Sequence, residues 1–240
     1  MIRQAMTKAA FAALVTLALY APALEARECK GQSDEPLVNM LQPPPCETCP
    51  EAKAELEELE SLEHARTPEE QARAVSDVKM SVERFLEGAG IDFEPEKLRS
   101  CQKFFTRPRQ EEKAVIDAAK DTFCRLRPYK TAGNALHPAE EAIPNDSFSY
   151  PSGHSAYGAT IGFLLVEMLP EKRAEIYRRI NDYARNRMIA AVHFRSDVEA
   201  GKAVGAAVVA RLFAEPDFRQ AFDEAKTCVR ASVRLKEAAR

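Results

Sequence analysis

The chain has 240 residues, is 45% hydrophobic and 30% charged, and sets 34 Lys and Arg against 37 Asp and Glu for a net charge of −3. Those fractions exclude a disordered chain and a multi-span membrane protein, and the mildly acidic balance leaves no basic footprint for a nucleic-acid polymer. With no Trp and only 8% aromatics, stacking platforms for sugars or bases are disfavoured too, which leaves a globular protein of one or two domains with six cysteines.

Residues 1–10 carry Arg3 and Lys8 with no acid, Phe11–Leu24 is an almost unbroken apolar run of 14 residues, and small residues lie at Ala21, Ala23 and Ala26. This is the layout of a secretory signal peptide, and the run is short of the ~20 residues that span a bilayer. Residues 1–26 are therefore expected to be cleaved, after Ala23 or Ala26, leaving a periplasmic protein with no stable membrane insertion. All six cysteines (29, 46, 49, 101, 124 and 228) stay in the mature chain. In an oxidising compartment they can close three disulfides, in more than one pairing. Cys46-x-x-Cys49 could also be a zinc or redox pair, but it lacks a second CxxC, a nearby His and a preceding βα pattern, so a structural disulfide is expected.

Residues 27–50, punctuated by Pro and Cys, read as an extended surface arm. The Glu-, Ala- and Leu-rich stretch from 50 to 88 suits two amphipathic helices, the second capped by Thr67 with Pro68 at its first position and Glu70 at its third. Gly88-Ala89-Gly90 closes that block. A helix is expected over about 108–126, stopped by Pro128. Residues 129–150 read as a loop. Helices follow over 152–169, about 171–185 and about 197–214, with a C-terminal helix after Pro216. No alternating strand pattern of useful length occurs, so the expectation is an all-α single domain over 51–240, a multi-helix bundle.

Three places break local rules. Lys120 and Arg127 are two helical turns apart on the 108–126 pattern and should point the same way, bordering an apolar stripe with Ile116 and Phe123. Tyr150-Pro151-Ser152-Gly153-His154 opens the next long helix: Ser152 is a natural N-cap, the amides of Ser152 and Gly153 suit an anion, and His154 stands over the first turn. In Asn186-Arg187-x5-His193-x3-Asp197, a capping box of Ser196 and Glu199 would start a helix at about Asp197 and leave His193 in the preceding turn. There it could meet Arg187. Asp197 can accept the Nδ1 proton of His193 and leave the Nε2 lone pair exposed. Each segment alone also fits snorkelling basic residues, an ordinary cap or a structural His–Asp pair. Together, three cations, backbone amides and two histidines fit a tetrahedral dianion with one nucleophile and one acid, which is phosphoryl transfer by covalent catalysis without metal or cofactor.

These residues resemble a known signature. Lys120-x6-Arg127-Pro128, then Pro151-Ser152-Gly153-His154, then Arg187-x5-His193-x3-Asp197 are similar to the motifs of the type-2 phosphatidic acid phosphatase (PAP2) superfamily, with 22 residues between the first two parts and 31 between His154 and Asn186. The likeness is greatest to the bacterial class A non-specific acid phosphatases, and it extends to the Leu41–Pro45 arm, the run from His193 to Gly201, and Pro216-Asp217-Phe218. It implies an all-α PAP2/haloperoxidase-type bundle that hydrolyses phosphate monoesters. His193 would be the nucleophile, Asp197 its orienting partner and His154 the general acid and base. Lys120, Arg127, Arg187, Ser152 and Gly153 would bind phosphate. The family also leaves room for homodimers, for phosphotransfer, and for the alternatives of a lipid phosphatase or a vanadate-dependent haloperoxidase. Asn186 departs from the Ser usual before the Arg, so a changed strength or specificity of phosphate binding is expected there.

Overall fold

A computed structural model of the chain describes residues 29–131, 135–143 and 147–234. The expected signal peptide over 1–26 lies outside the described residues, as do parts of the 129–150 loop. The chain is all-α: among the described residues there is no strand, only an isolated bridge between Phe93 and Val233. The helices run in order α1 (Pro50–Ala65), α2 (Pro68–Ser76), α3 (Val82–Ala89), α4 (Pro95–Cys101), α5 (Thr106–Phe123), α6 (Pro128–Thr131), α7 (Gly153–Met168), α8 (Arg173–Ile189), α9 (Arg195–Phe213) and α10 (Pro216–Ser232).

α7 is the centre of the bundle because it is apolar on every side: Glu167 is the one charged side chain between Ser155 and Met168, and most of the helix is buried. α9 lies against it at very short range. A Cβ on Gly205 would sit 2.6 Å from the Ala156 carbonyl oxygen, and one on Gly201 would run into the Ser152 carbonyl, so only glycine admits this approach of two backbones. Around this pair a core of Phe85, Leu86, Ile161, Leu165, Ile176 and Val208 joins α3, α7, α8 and α9. α10 closes the far end through Phe218 and Phe222, whose rings lie 5.5 and 4.8 Å from Phe213.

Several boundaries differ from the sequence expectation. The 50–88 stretch holds three helices, because the chain breaks at Asp77 and restarts at the Ser81 cap. Thr67 and Glu70 do form the expected capping box, and Gly90 ends α3 in the left-handed conformation at φ +70°. α5 stops at Phe123, three residues early, since Cys124 turns left-handed (φ +49°) and is bonded to Cys29. α8 runs four residues further than expected, to Ile189. Cys46 pairs with Cys49 at the mouth of α1, and Cys101 with Cys228 across α4 and α10. The arm before α1 is irregular, anchored by the Cys29–Cys124 bond and by buried Val38.

Candidate active site

The turn between α8 and α9 is built from a complete helix-terminating motif. Val192 N–H donates to the Arg187 carbonyl at 3.2 Å and Ala191 N–H to Met188 at 2.8 Å, with Ala191 left-handed at φ +57°. A side chain there costs about 1–2 kcal/mol. The reversal turns His193 inward, where it is 1% exposed. α9 then begins at Arg195, not at Asp197 as the Ser196/Glu199 box suggested. The cap is Asp197 itself, whose Oδ2 accepts from Phe194 N–H at 2.8 Å, while Ser196 N–H is taken by Glu55 Oε1 at 2.6 Å. One carboxylate therefore both caps the helix and faces His193 Nδ1, at 3.4 Å.

Lys120 and Arg127 do not share a helix, because the left-handed Cys124 separates them, and they converge instead on one loop residue. Lys120 Nζ lies 3.2 Å from Ser147 Oγ. Arg127 donates from Nη2 to the same Oγ at 2.8 Å and from Nε to the Ser147 carbonyl at 3.0 Å. Arg127 Nη1 reaches the Val192 carbonyl at 2.9 Å and His193 Nε2 at 2.7 Å. A guanidinium only donates, so Nε2 is the accepting nitrogen and Nδ1 carries the proton that faces Asp197. Its lone pair is thus covered by Arg127 rather than exposed.

Arg187 is almost wholly buried, at 1% exposure. Its Nη2 donates to the Ala142 carbonyl at 3.2 Å, but its Nε and Nη1 have no hydrogen-bond partner among the described residues. A buried cation with two unsatisfied donors is costly and points to an anion. Burial and the neighbouring Arg127 charge lower the pKa of Arg187 to about 10, and burial brings Arg127 to about 10 as well.

Ser152 caps α7, its Oγ accepting from Ser155 N–H at 3.3 Å. Its own amide donates to the Asp197 carbonyl at 2.9 Å, so Ser152 N–H is spent on holding α7 to α9 and is not a phosphate donor. Gly153, the first helical residue, keeps an amide without an acceptor inside α7. His154 donates from Nε2 to the Val78 carbonyl at 3.1 Å, which leaves Nδ1 as the working nitrogen. Burial, then the charges of Arg187 and Arg109, push His154 well below its ordinary value. His193 is pushed down likewise, by burial first and then by Arg127, Lys120, Arg187 and His154.

Asn186 does not extend the phosphate cradle. Its Nδ2 donates at 2.7 Å to Asp77, a fully buried carboxylate that also receives Arg179 at 2.7 Å and Arg84 at 2.8 Å. Ser147, Ser149, the Val78 carbonyl, and Arg125 with Glu55 join the site without belonging to any of the three sequence motifs. The run Arg125-Leu126-Arg127-Pro128 carried a signal for Arg125, since it places two cations two residues apart beside a stop. The others are loop or helix positions with no local mark. Among the described residues no group of three His, Cys, Asp or Glu side chains converges as a metal site would need.

Residues 112–220 match the family described as PAP2 superfamily. The match takes in somewhat under half of the chain. Every side chain of the candidate site named in the sequence reading lies within it. The chain is 38% identical over 104 residues to the non-specific acid phosphatase of Salmonella typhimurium, covering 43% of this chain and 42% of that protein. It is 33% identical over 110 residues to the non-specific acid phosphatase of Providencia stuartii, covering 45% and 44%. The chain thus spans less than half the length of these curated relatives. A longer match, 25% over 192 residues, links 78% of the chain to 72% of an acid phosphatase from Zymomonas mobilis. The fold resembles a transmembrane PAP2-type phosphatidylglycerolphosphate phosphatase from Bacillus subtilis, with a TM-score of 0.52 at 18% identity over 78% of this chain and 90% of that one. None of the helices described in the present chain is long and apolar enough to cross a membrane.

Proposed function

We propose that this protein is a secreted acid phosphatase that hydrolyses phosphate monoesters through a phosphohistidine. The observation that carries the reading is the pair of guanidinium donors on buried Arg187 with no partner among the described residues, its charge acting on a His193 ring already fixed as its Nδ1–H tautomer. Arg127 and Lys120 add positive charge to the same pocket, and the Gly153 amide lies at the start of α7. A phosphoryl group would draw its oxygens to these donors. When Arg127 transfers its hydrogen bond from His193 Nε2 to a phosphoryl oxygen, the Nε2 lone pair becomes available for in-line attack. The P–N bond forms as the P–O bond to the leaving group breaks, and Asp197 stabilises the imidazolium. His154 gives the leaving oxygen a proton from Nδ1, then takes one from water as it attacks phosphorus and releases His193.

The chemistry asks for His193 neutral and His154 protonated. Both rings sit below the ordinary histidine value, which places the working range on the acid side. The relatives' names, acid phosphatases, support the same reading. Secretion is supported by the leader pattern over 1–26 and by three disulfides, which persist in oxidising compartments. His193→Ala should abolish turnover of p-nitrophenyl phosphate and the acid-labile, base-stable phosphoprotein trapped from wild type, with the helical circular dichroism unchanged. Substantial turnover by that variant would overturn the assignment.

A further inference from the structure

Asp197 is wholly buried and must stay ionised to hold the His193 Nδ1 proton, yet burial alone drives its pKa up. Arg125 Nη1 lies 2.7 Å from Asp197 Oδ1, and Arg125 also donates to Ser196 Oγ at 2.7 Å. The Arg125 carbonyl accepts from Ser149 N–H at 2.7 Å, and the Ser149 hydroxyl donates to Asp197 Oδ2. Arg125 thus governs two of the carboxylate's partners, one directly and one through Ser149. The guanidinium is held in turn. Its carbon lies 4.0 Å above the Phe194 ring, and Nη2 pairs with Glu55 Oε2 at 2.7 Å. The other oxygen of Glu55 accepts from Ser196 N–H at 2.6 Å, in the first turn of α9. Glu55 sits on α1, outside the 112–220 PAP2 match.

We propose that Arg125 and Glu55 form a positioning clamp for the nucleophile: Arg125 keeps Asp197 charged and aimed at His193 Nδ1, and Glu55 brings α1 into the working site by locking Arg125 to the start of α9. The chain is continuous from Glu55 to Arg125, to Asp197 and to His193. Each contact is buried or nearly so, with side-chain exposures of 12% for Glu55, 8% for Arg125 and 0% for Asp197. The contacts of both clamp residues run to Asp197, Ser196 and Phe194, so both act through Asp197. The inference rests on the phosphatase reading for its kinetic test, but not for its spectroscopic one.

The test uses the full mature chain as Arg125→Met, Arg125→Lys and Glu55→Gln. Kinetics of p-nitrophenyl phosphate hydrolysis are measured from pH 4 to 8. Ring 15N and 1H NMR reads the Nδ1–H resonance of His193, one of four histidines, whose downfield position reports the contact with Asp197. R125M should lower kcat by about 10–100-fold, the range typical of groups that orient another ligand, with KM nearly unchanged. It should also move the acid limb of the kcat profile to higher pH, because Asp197 loses the cation that opposes its burial. R125K should recover part of both effects, and E55Q should show the same changes more weakly. A folded R125M with the wild-type limb, or with its loss confined to KM, overturns the clamp. If R125M does not fold, E55Q carries the same criteria. If the wild type itself hydrolyses nothing, the phosphatase reading fails, and the ring spectrum still decides the clamp: an upfield move of the His193 Nδ1–H resonance in R125M or E55Q, marking a weakened contact with Asp197, supports it, and an unchanged resonance in both overturns it.

Discussion

Arg187, Asp197 and Glu112 show how the same burial gives different outcomes according to the partners each residue finds. Asp197 is balanced by Arg125, Ser149 and the Phe194 amide. Arg187 keeps two donors without a partner among the described residues, which is why it marks the proposed anion site. Glu112 has Arg109 at Oε2 but no partner at Oε1 among the described residues, and burial lifts its pKa from 4.5 to about 7. The sign of its pH effect follows. Between pH 4.5 and 7 the folded protein holds a proton that the unfolded chain has released. The stabilisation is therefore full below about 4.5 and is lost as pH rises through 7. Glu112→Gln has no such slope. Relative to wild type it should gain about 3 kcal/mol between pH 4.5 and 8, read by urea unfolding at both pH values. A difference that does not change with pH would show that Glu112 does not titrate this way.

At the scale of the helix, the site depends on how closely α7 and α9 approach. The Gly201 position faces the Ser152 carbonyl and the Ala156 amide, and these are backbone atoms that cannot rotate away. Gly201→Ala should destabilise by about 1–3 kcal/mol through overpacking, despite the better helix propensity of alanine. It should also reduce turnover, because it pushes apart Ser152 N–H and the Asp197 carbonyl, which are 2.9 Å apart. Thermal unfolding and p-nitrophenyl phosphate kinetics together check this; wild-type stability and turnover would refute the close-packing account. The long helices were legible because 3.6-residue periodicity and Thr67, Ser152 and Pro216 are local signals, whereas the short α4 and α6 were not expected. The end of α5 was not legible. It is decided by Cys124 adopting the left-handed conformation beside its bond to Cys29, 95 residues away, and no local window contains that partner.

Across the whole molecule, the disulfides tie sequence-distant segments around the bundle. Cys101–Cys228 closes a span of 127 residues between α4 and α10. On the chain-entropy estimate such a loop contributes about 4–5 kcal/mol. The double variant Cys101→Ala/Cys228→Ala should lose stability of that order in chemical denaturation while keeping its turnover at low temperature, since the bond lies away from the His193 pocket. A loss below about 1 kcal/mol would mean that the α4–α10 packing alone holds the end of the bundle.

The sequence by itself determined the class and the inventory: apolar periodicity without alternation dictates helices, and the spacing of Lys120, Arg127, His154, Arg187, His193 and Asp197 marks residues unsuited to ordinary helix faces. Which of them face one another was decided only in three dimensions. Lys120 and Arg127 meet through Ser147 and not along a helix. Ser152 gives its amide to Asp197, Asn186 turns to Asp77, and Glu55 reaches Asp197 through Arg125 from a helix that carries no motif. The physical reason is that periodicity and capping are short-range properties of the backbone, whereas a buried charge takes whichever partner the packing of distant helices delivers.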